Sequence, residues 1–340
     1  MINYVLKKIS EINEESLFDF YKIVFPDRFE LLKKYYKWWY RLNNTPCEPL
    51  LVTVDNNVIG QMATVPSKII VNKKLIDACF FIDFAILEKY QGKGAGSILV
   101  KAATKTRTVQ IAFCNEAALR VYNKLGWNIN TDAQRILRPI NPTKWLPLIK
   151  NVNFLDSRNI FNFFLNFRLK HKPILKPFLI NENFNKLLEA FNSKVENNSG
   201  PLMFARDNEW FNWRFYDYPY RDQLRFFEFK NNFFIVNLLN KNNIKRVHLI
   251  YHFYTNDNLI AEMYYLISKW AIDNNYDLIW SCTSDEKLIQ NLSNLMPKRL
   301  LKSITIATYS SNVEIFNNLN HKFSNIQAAD SDMDILYLEK

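Results

Sequence analysis

Gln91-Gly92-Lys93-Gly94-Ala95-Gly96 (QGKGAG) holds three of the six glycines in this 340-residue chain. An apolar run, CFFIDFAIL (79–87), leads towards it, and SILVKAATKTR (97–107), apolar at helical spacing, leaves it. Strand, glycine-rich turn and helix start gather backbone N–H groups at a helix N-terminus, where the dipole favours an anion. Glycine permits positive φ there and lets a ligand approach the backbone closely. Gln91 adds an amide donor, and Lys93 a cation at the rim. The stretch is not a P-loop, because no Gly-Lys-Ser/Thr follows at the required spacing. Nor is it the dinucleotide fingerprint, whose third glycine comes later. A phosphate cradle and a plain flexible loop are the two readings that remain.

Composition narrows the setting. Hydrophobic residues make up 48% of the chain and aromatics 15%, enough for buried cores and against disorder. The length favours two domains. No apolar run approaches the roughly 20 residues of a membrane span. The opening MINYVLKKISEINEES lacks signal-peptide features, so a cytoplasmic location is expected. Cys47, Cys79, Cys114 and Cys282 form no CxxC pair, and the four histidines show no ligand spacing. Reduced, buried thiols and no metal are expected. The net charge of +11 is dispersed without a polybasic block. It suits small phosphorylated ligands better than nucleic acid, which is not an expected partner.

Along the chain, SLFDFYKIVF and RFELLKKYYKWWYRL read as helices, and residues 48–87 as consecutive strands with turns at Asp55-Asn56-Asn57 and Asn72-Lys73-Lys74. After the glycine stretch come a helix, the strand VQIAFC, the helix NEAALRVYNKL and a turn at Gly126-Trp127. Pro139, Pro142 and Pro147 mark a boundary. FLDSRNIFNFFLNFRLK and FNKLLEAFNSKV follow as connecting helices, the second with an apolar stripe at Leu187, Leu188, Phe191 and Val195. From about Gly200 the strand–strand–helix–strand–helix order repeats without the glycines, as a divergent duplication would. The expected division is a domain over 1–138 with the glycine loop, a linker with connecting helices over 139–200, and a second domain over 201–340.

The pattern Q-x-x-G-x-G resembles the pyrophosphate loop of the GCN5-related N-acetyltransferase (GNAT) superfamily. NEAALRVYNKLGW is similar to a later motif of that family. Its Asn115 and Tyr122 lie seven residues apart, about two turns, and so share a helix face. The resemblance covers roughly residues 1–135. It implies an α/β (α+β) fold of two GNAT-like domains, each a mixed, mostly antiparallel sheet flanked by helices. It also implies acyl-CoA as co-substrate. Phe84 and Ile86 would then hold the pantetheine arm through their backbone, Gln91 to Gly96 with Ser97 the pyrophosphate, and Asn115 would border the cofactor. Tyr122 would protonate the departing thiolate. Asn115 as a helix cap and Tyr122 as core packing are the plainer readings.

Amide formation from a thioester requires an unprotonated amine, a polarised carbonyl and a proton for the sulfur. Asp83 is the leading candidate base, one charge amid seven apolar residues on the strand entering the loop. An Asp satisfied by backbone donors at a bulge is the alternative, and Glu116 and His252 are reserves. RDNEWFNWRFYDYPYRD (206–222) is the densest aromatic and arginine cluster in the chain. Stacking rings and arginine forks suit sugars and phosphates. The cluster resembles a "WRY…P…Y" signature of tandem GNAT-like proteins encoded with surface-polysaccharide (lipopolysaccharide, O-antigen) genes, here Trp213, Arg214, Phe215, Pro219 and Tyr220. DSDMD (330–334) is similar to an acidic ending in that group. That resemblance implies a dTDP-type nucleotide-linked amino sugar as acceptor, with Trp210, Trp213, Arg214, Tyr220 and His252 as its binding residues. It also implies an acetyl or 3-hydroxybutanoyl donor. Domain-core packing of Trp210 and Trp213 is the alternative. Peptide acetyltransferases, aminoacyl-tRNA-dependent transferases and a non-catalytic CoA sensor are the competing classes; the intact loop speaks against the second.

Overall fold

A computed structural model describes residues 2–42, 48–141, 175–178, 185–189, 193, 202–241, 243–293, 301–319 and 326–330 of the protein. Cys47, the prolines at 142 and 147, the helix expected over 154–170, Phe191, Val195 and Asp332 to Asp334 lie outside these residues.

Apolar alternation and turn chemistry generate twelve strands among the described residues: β1 Val5–Lys8, β2 Leu50–Val54, β3 Asn57–Val71, β4 Lys74–Ile86, β5 Val109–Cys114, β6 Asn128–Pro139, β7 Leu202–Ala205, β8 Leu224–Phe229, β9 Asn232–Lys241, β10 Ile244–Phe253, β11 Leu278–Thr283 and β12 Leu301–Ser310. Asp55-Asn56 and Asn72-Lys73 all take positive φ, the two-residue hairpin geometry whose twist matches the flanking strands. The helices are α1 Glu14–Val24, α2 Phe29–Trp39, α3 Ala95–Ala103, α4 Glu116–Lys124, α5 Asn208–Phe211, α6 Ile260–Asp273, α7 Glu286–Ser293 and α8 Val313–Asn318.

The strands form one mixed, mostly antiparallel sheet in the order β1-β2-β3-β4-β5-β12-β6-β11-β10-β9-β8, with β7 beside β3. The two halves therefore exchange strands. β6 follows directly from the first half but lies between β12 and β11, and β12 of the second half pairs with β5. The sequence reading anticipates neither β6 nor β12. Alternate residues divide the apolar core between the two faces. On β4, Phe80 and Ile82 join the core over α1, α2 and residues 204–218, while Cys79 and Phe81 pack beneath α3 and α4. On the second face, α6 covers Val247, Leu249 and Ile279.

Candidate active site

Parallel β4 and β5 pair only from Ala78/Val109 to Phe81/Ala112, after which they part. A cleft of about 470 Å³ opens at the split. Val24 to Arg28, Phe81 to Phe84, Phe113 to Asn115, Ala118, Tyr122, Arg135 and Ile304 line it. On its other edge β4 remains bonded to β3 through a bulge, where Gln61 faces Ala85 and Ala63 faces Ile82. Asp83 lies in that bulge with a φ of +51°. Its carboxylate is fully enclosed. Oδ1 accepts from the Arg28 guanidinium, and Oδ2 accepts from Trp39 Nε1 at 2.8 Å and Tyr40 Oη at 2.9 Å. Behind them Gln61 Nε2 donates to Tyr40 Oη at 3.0 Å, and Tyr21 Oη donates to Gln61 Oε1 at 2.7 Å. The donors that satisfy Asp83 are thus side chains rather than backbone.

The glycine stretch adopts the expected strand–turn–helix geometry. Gly92 and Gly94 have φ of +73° and +95°, and Gly94 caps α3. Gly96 is constrained differently: a Cβ there would stand 3.1 Å from the Phe84 ring. Ala95 is buried, while the flanking turn is open to solvent. One detail differs from a direct ligand role: Gln91 Nε2 folds back to donate to the Ile86 carbonyl at 3.0 Å. The Lys93 carbonyl accepts from Tyr4 Oη at 3.1 Å. The Gln91 bond ties the end of β4 to the turn, a bracing role that sequence alone does not reveal.

On the far wall, Asn115 Oδ1 accepts from Ala118 N at 2.9 Å and caps α4. Tyr122 packs at a tilt on Trp127 with ring centroids 4.4 Å apart, and its ring centre is 6.1 Å from that of Phe84. Burial raises the Tyr122 pKa well above its ordinary value, so the phenol stays protonated at neutral pH. Cys114 also borders the cleft, but burial pushes its thiol up to about 12 and makes it a poor nucleophile. Arg28, Arg135, Phe113 and Ile304 are wall residues that the sequence reading missed. No motif marks them, and Ile304 arrives only through the exchange of β12.

Residues 9–127 match the model of the acetyltransferase (GNAT) family. That segment is a GNAT acetyltransferase domain. No curated protein sequence matches the chain. Among solved structures, a GCN5-related N-acetyltransferase from Anabaena variabilis aligns over 92% of this chain and 74% of its own, with a TM-score of 0.58 at 12% identity. N-myristoyltransferase from Saccharomyces cerevisiae with bound myristoyl-CoA aligns over 90% and 82%, with a TM-score of 0.56 at 14% identity. A probable N-acyltransferase from Enterococcus faecalis aligns over 92% and 74%, with a TM-score of 0.54 at 10% identity. At such identities the likeness establishes a shared fold, and it extends across both halves. Among the described residues no group of three His, Cys, Asp or Glu is placed to hold a metal, and no helix is long and apolar enough to cross a membrane.

The second half has a corresponding split. Parallel β10 and β11 pair from Arg246/Leu278 to Leu249/Ser281 and then part. Here the chain fills its own gap. Gln327 bridges to Thr283, its Oε1 accepts from His252 N at 2.6 Å, and its Nε2 donates to His252 O at 2.8 Å. Ser284 N donates to Ile326 O at 2.9 Å. The connection after β10 is closed as well, because Asn232 Oδ1 accepts from Thr255 N at 2.9 Å and Asn256 N at 3.3 Å.

The residues expected to hold the acceptor lie in this closed region or in the joint between halves. His252 is buried, with Nε2 3.5 Å from Asp285, and it is not part of the cleft wall. An accessible stacking platform is the sequence expectation at Trp210 and Trp213; both rings are enclosed instead. Trp210 packs against Phe211, Phe215 and Tyr251. Trp213 lies against Trp39, its Nε1 donates to Trp38 O at 3.0 Å, and Trp38 Nε1 returns a bond to Trp213 O at 3.2 Å. Arg214 is buried as a structural cation, its Nε donating to Ala329 O at 2.7 Å. Tyr220 is half-buried against Tyr35. Aromatic rings joined across two halves exclude water from the joint, which explains their density better than stacking on a ligand.

Proposed function

We propose that the protein is an acyl-CoA-dependent N-acyltransferase whose donor lies in the β4/β5 cleft. One observation carries this reading: the split strands and Tyr122 line a single cavity, and the positive-φ turn capping α3 abuts its wall, where Gly96 lies against the Phe84 ring. Amides of the turn and of the first turn of α3 receive the pyrophosphate. The edge of β4 from Ile82 to Ile86, left by β5, accepts the pantetheine arm. The amine attacks the thioester carbonyl and gives up a proton to solvent, the C–S bond breaks, and Tyr122 gives its proton to the leaving sulfur and recovers one from solvent. Asp83, with both oxygens engaged, holds Arg28 at the cleft wall instead of abstracting the proton. Residues 1–138 grip the donor in this reading, and residues 201–340 help to form the acceptor side.

The acceptor we propose is a nucleotide-linked amino-deoxysugar, and the acyl group acetyl or 3-hydroxybutanoyl. The "WRY…P…Y" resemblance, taken as a family signature and not as a set of ligand contacts, and the net charge of +11, which suits diphosphates, support this. The myristoyl-CoA bound to a structural neighbour favours a second reading, a longer acyl chain. Val24, Phe25, Ile82, Phe113 and Ile304 offer apolar lining for it.

A thiol-release assay pairing acetyl-, 3-hydroxybutanoyl- and longer acyl-CoAs with nucleotide amino sugars and peptide amines tests both. Turnover only with peptides would reject the sugar acceptor. CoA binding without thiol release from any pair would indicate a sensor. Tyr122→Phe is expected to lower kcat by about 10²-fold with CoA affinity nearly kept. Asp83→Asn is expected to lower kcat while the acidic limb of the pH–rate profile persists; loss of that limb would make Asp83 the base.

A further inference from the structure

The joint between the halves contains an unbroken chain of buried contacts that ends at the cleft. It begins where the second half closes its own gap. Asp330 is buried and pairs with Arg206, whose Nε donates to Oδ1 at 2.8 Å, and it also accepts from Gln327 N at 2.8 Å. The next carbonyl back, Ala329 O, accepts from Arg214 Nε. The Arg214 guanidinium lies beside two indoles that stack on each other, 5.0 Å from the Trp39 ring centre and 5.2 Å from that of Trp213. Trp39 Nε1 then donates to Asp83, which holds Arg28 at the cleft wall.

We infer that Arg214 is a positioning residue: docked on residues 326–330, it fixes the Trp39 indole and through it the Asp83–Arg28 pair. This rests on the reading of the β4/β5 cleft as the reaction site. The physical basis is local. A guanidinium desolvated against an aromatic face is held by the ring quadrupole, and its fixed fork makes the indole plane hard to rotate. An indole that cannot rotate keeps its N–H aimed at one carboxylate oxygen. That bond and the bond from Tyr40 orient Asp83 within a bulge whose φ is already unusual. Stacking of Arg214 thus replaces the phosphate or sugar contact expected of it, and residues 206–222 act on the cleft without lining it.

Contiguity alone does not establish coupling, so the test reads the bond at its far end. The chain has eight tryptophans, and the indole N–H signal missing from Trp39→Phe identifies Trp39. In Arg214→Met we expect that signal to move towards its position in Asp83→Asn and to exchange with solvent about tenfold faster. Arg214→Lys, which keeps the buried cation without the fork, is expected to fall between and serves if the Met variant does not fold. A cooperatively folded Arg214 variant with an unmoved, equally protected Trp39 signal would overturn the inference. Loss of structure alone would disturb all the indole signals together rather than this one selectively. Acetyl-CoA is expected to shift the Trp39 signal in the unaltered protein. Absence of acetyl-CoA binding by calorimetry would reject the donor reading, yet the ligand-free spectra would still decide the coupling.

Discussion

The β4/β5 split and the β10/β11 split are the same architectural event with opposite outcomes. In the first, glycine conformations expose backbone N–H groups at the start of α3 and the strands part around an open cleft. In the second, a glycine-free connection has its amides taken by Asn232, and Gln327 supplies to His252 the bonds a missing strand would have made. A parted pair of strands is costly because its backbone groups lose their partners. One half leaves that demand for a ligand, and the other satisfies it from its own chain. The same split of parallel strands can therefore end open or closed without any change of fold.

The comparison breaks most easily where the plug is fastened. Arg206→Met leaves the enclosed Asp330 carboxylate without its guanidinium and is expected to cost about 3–5 kcal/mol in denaturant unfolding. A cost below about 1 kcal/mol would mean that another contact closes the second half. Next in size, Gly94→Val imposes positive φ on a β-branched residue, a strain of about 1–2 kcal/mol. Calorimetry should then find acetyl-CoA about tenfold weaker, making the first half behave like the second; unchanged affinity would separate ligand binding from this turn.

A third effect concerns pH. Burial raises Tyr21, Tyr40 and Tyr122, and raises Tyr264 to about 12. The unfolded chain releases these protons above its ordinary tyrosine value of 10.0 while the folded protein keeps them, so stability should fall as pH rises past it. His248 is lowered by burial and by Arg135 and Arg214. Below 6.5 the unfolded chain takes up a proton that the folded protein refuses, so stability should fall again. Unfolding midpoints across this range should peak between the two limits, and His248→Phe should flatten the acidic limb. The smallest effect is expected from Gln91→Ala. The bond to Ile86 braces an exposed turn, so acetyl-CoA should weaken only about two- to threefold, within the worth of one such bond. A loss above about 30-fold would return Gln91 to direct ligand contact.

What the sequence disclosed follows the range of the forces involved. The Gly94 turn, the Asn115 cap and the hairpins at Asp55-Asn56 and Asn72-Lys73 are local, and neighbouring residues specify them. Asp83 was visible as an oddity in an apolar strand. Its partners were not, because Arg28, Trp39 and Tyr40 come from α1–α2 through packing rather than spacing. Arg135 and Ile304 depend on the strand exchange, which leaves no periodic trace. The aromatic cluster at 206–222 misleads for a physical reason. A ring that stacks on a sugar and a ring that seals a joint have the same composition, and only enclosure separates them.

The exchange of β6 and β12 also sets the order in which the molecule can be assembled. On a ribosome β5 emerges long before its neighbour β12; Cys114 waits for Thr305. Until then β5 is an open edge, able to pair with any passing strand. Neither half can complete its hydrogen bonding alone, so folding must proceed through long-range closure rather than half by half. Stopping synthesis just short of β12 should leave a nascent chain that seeks a chaperone, and β12 is the strand that ends its exposure.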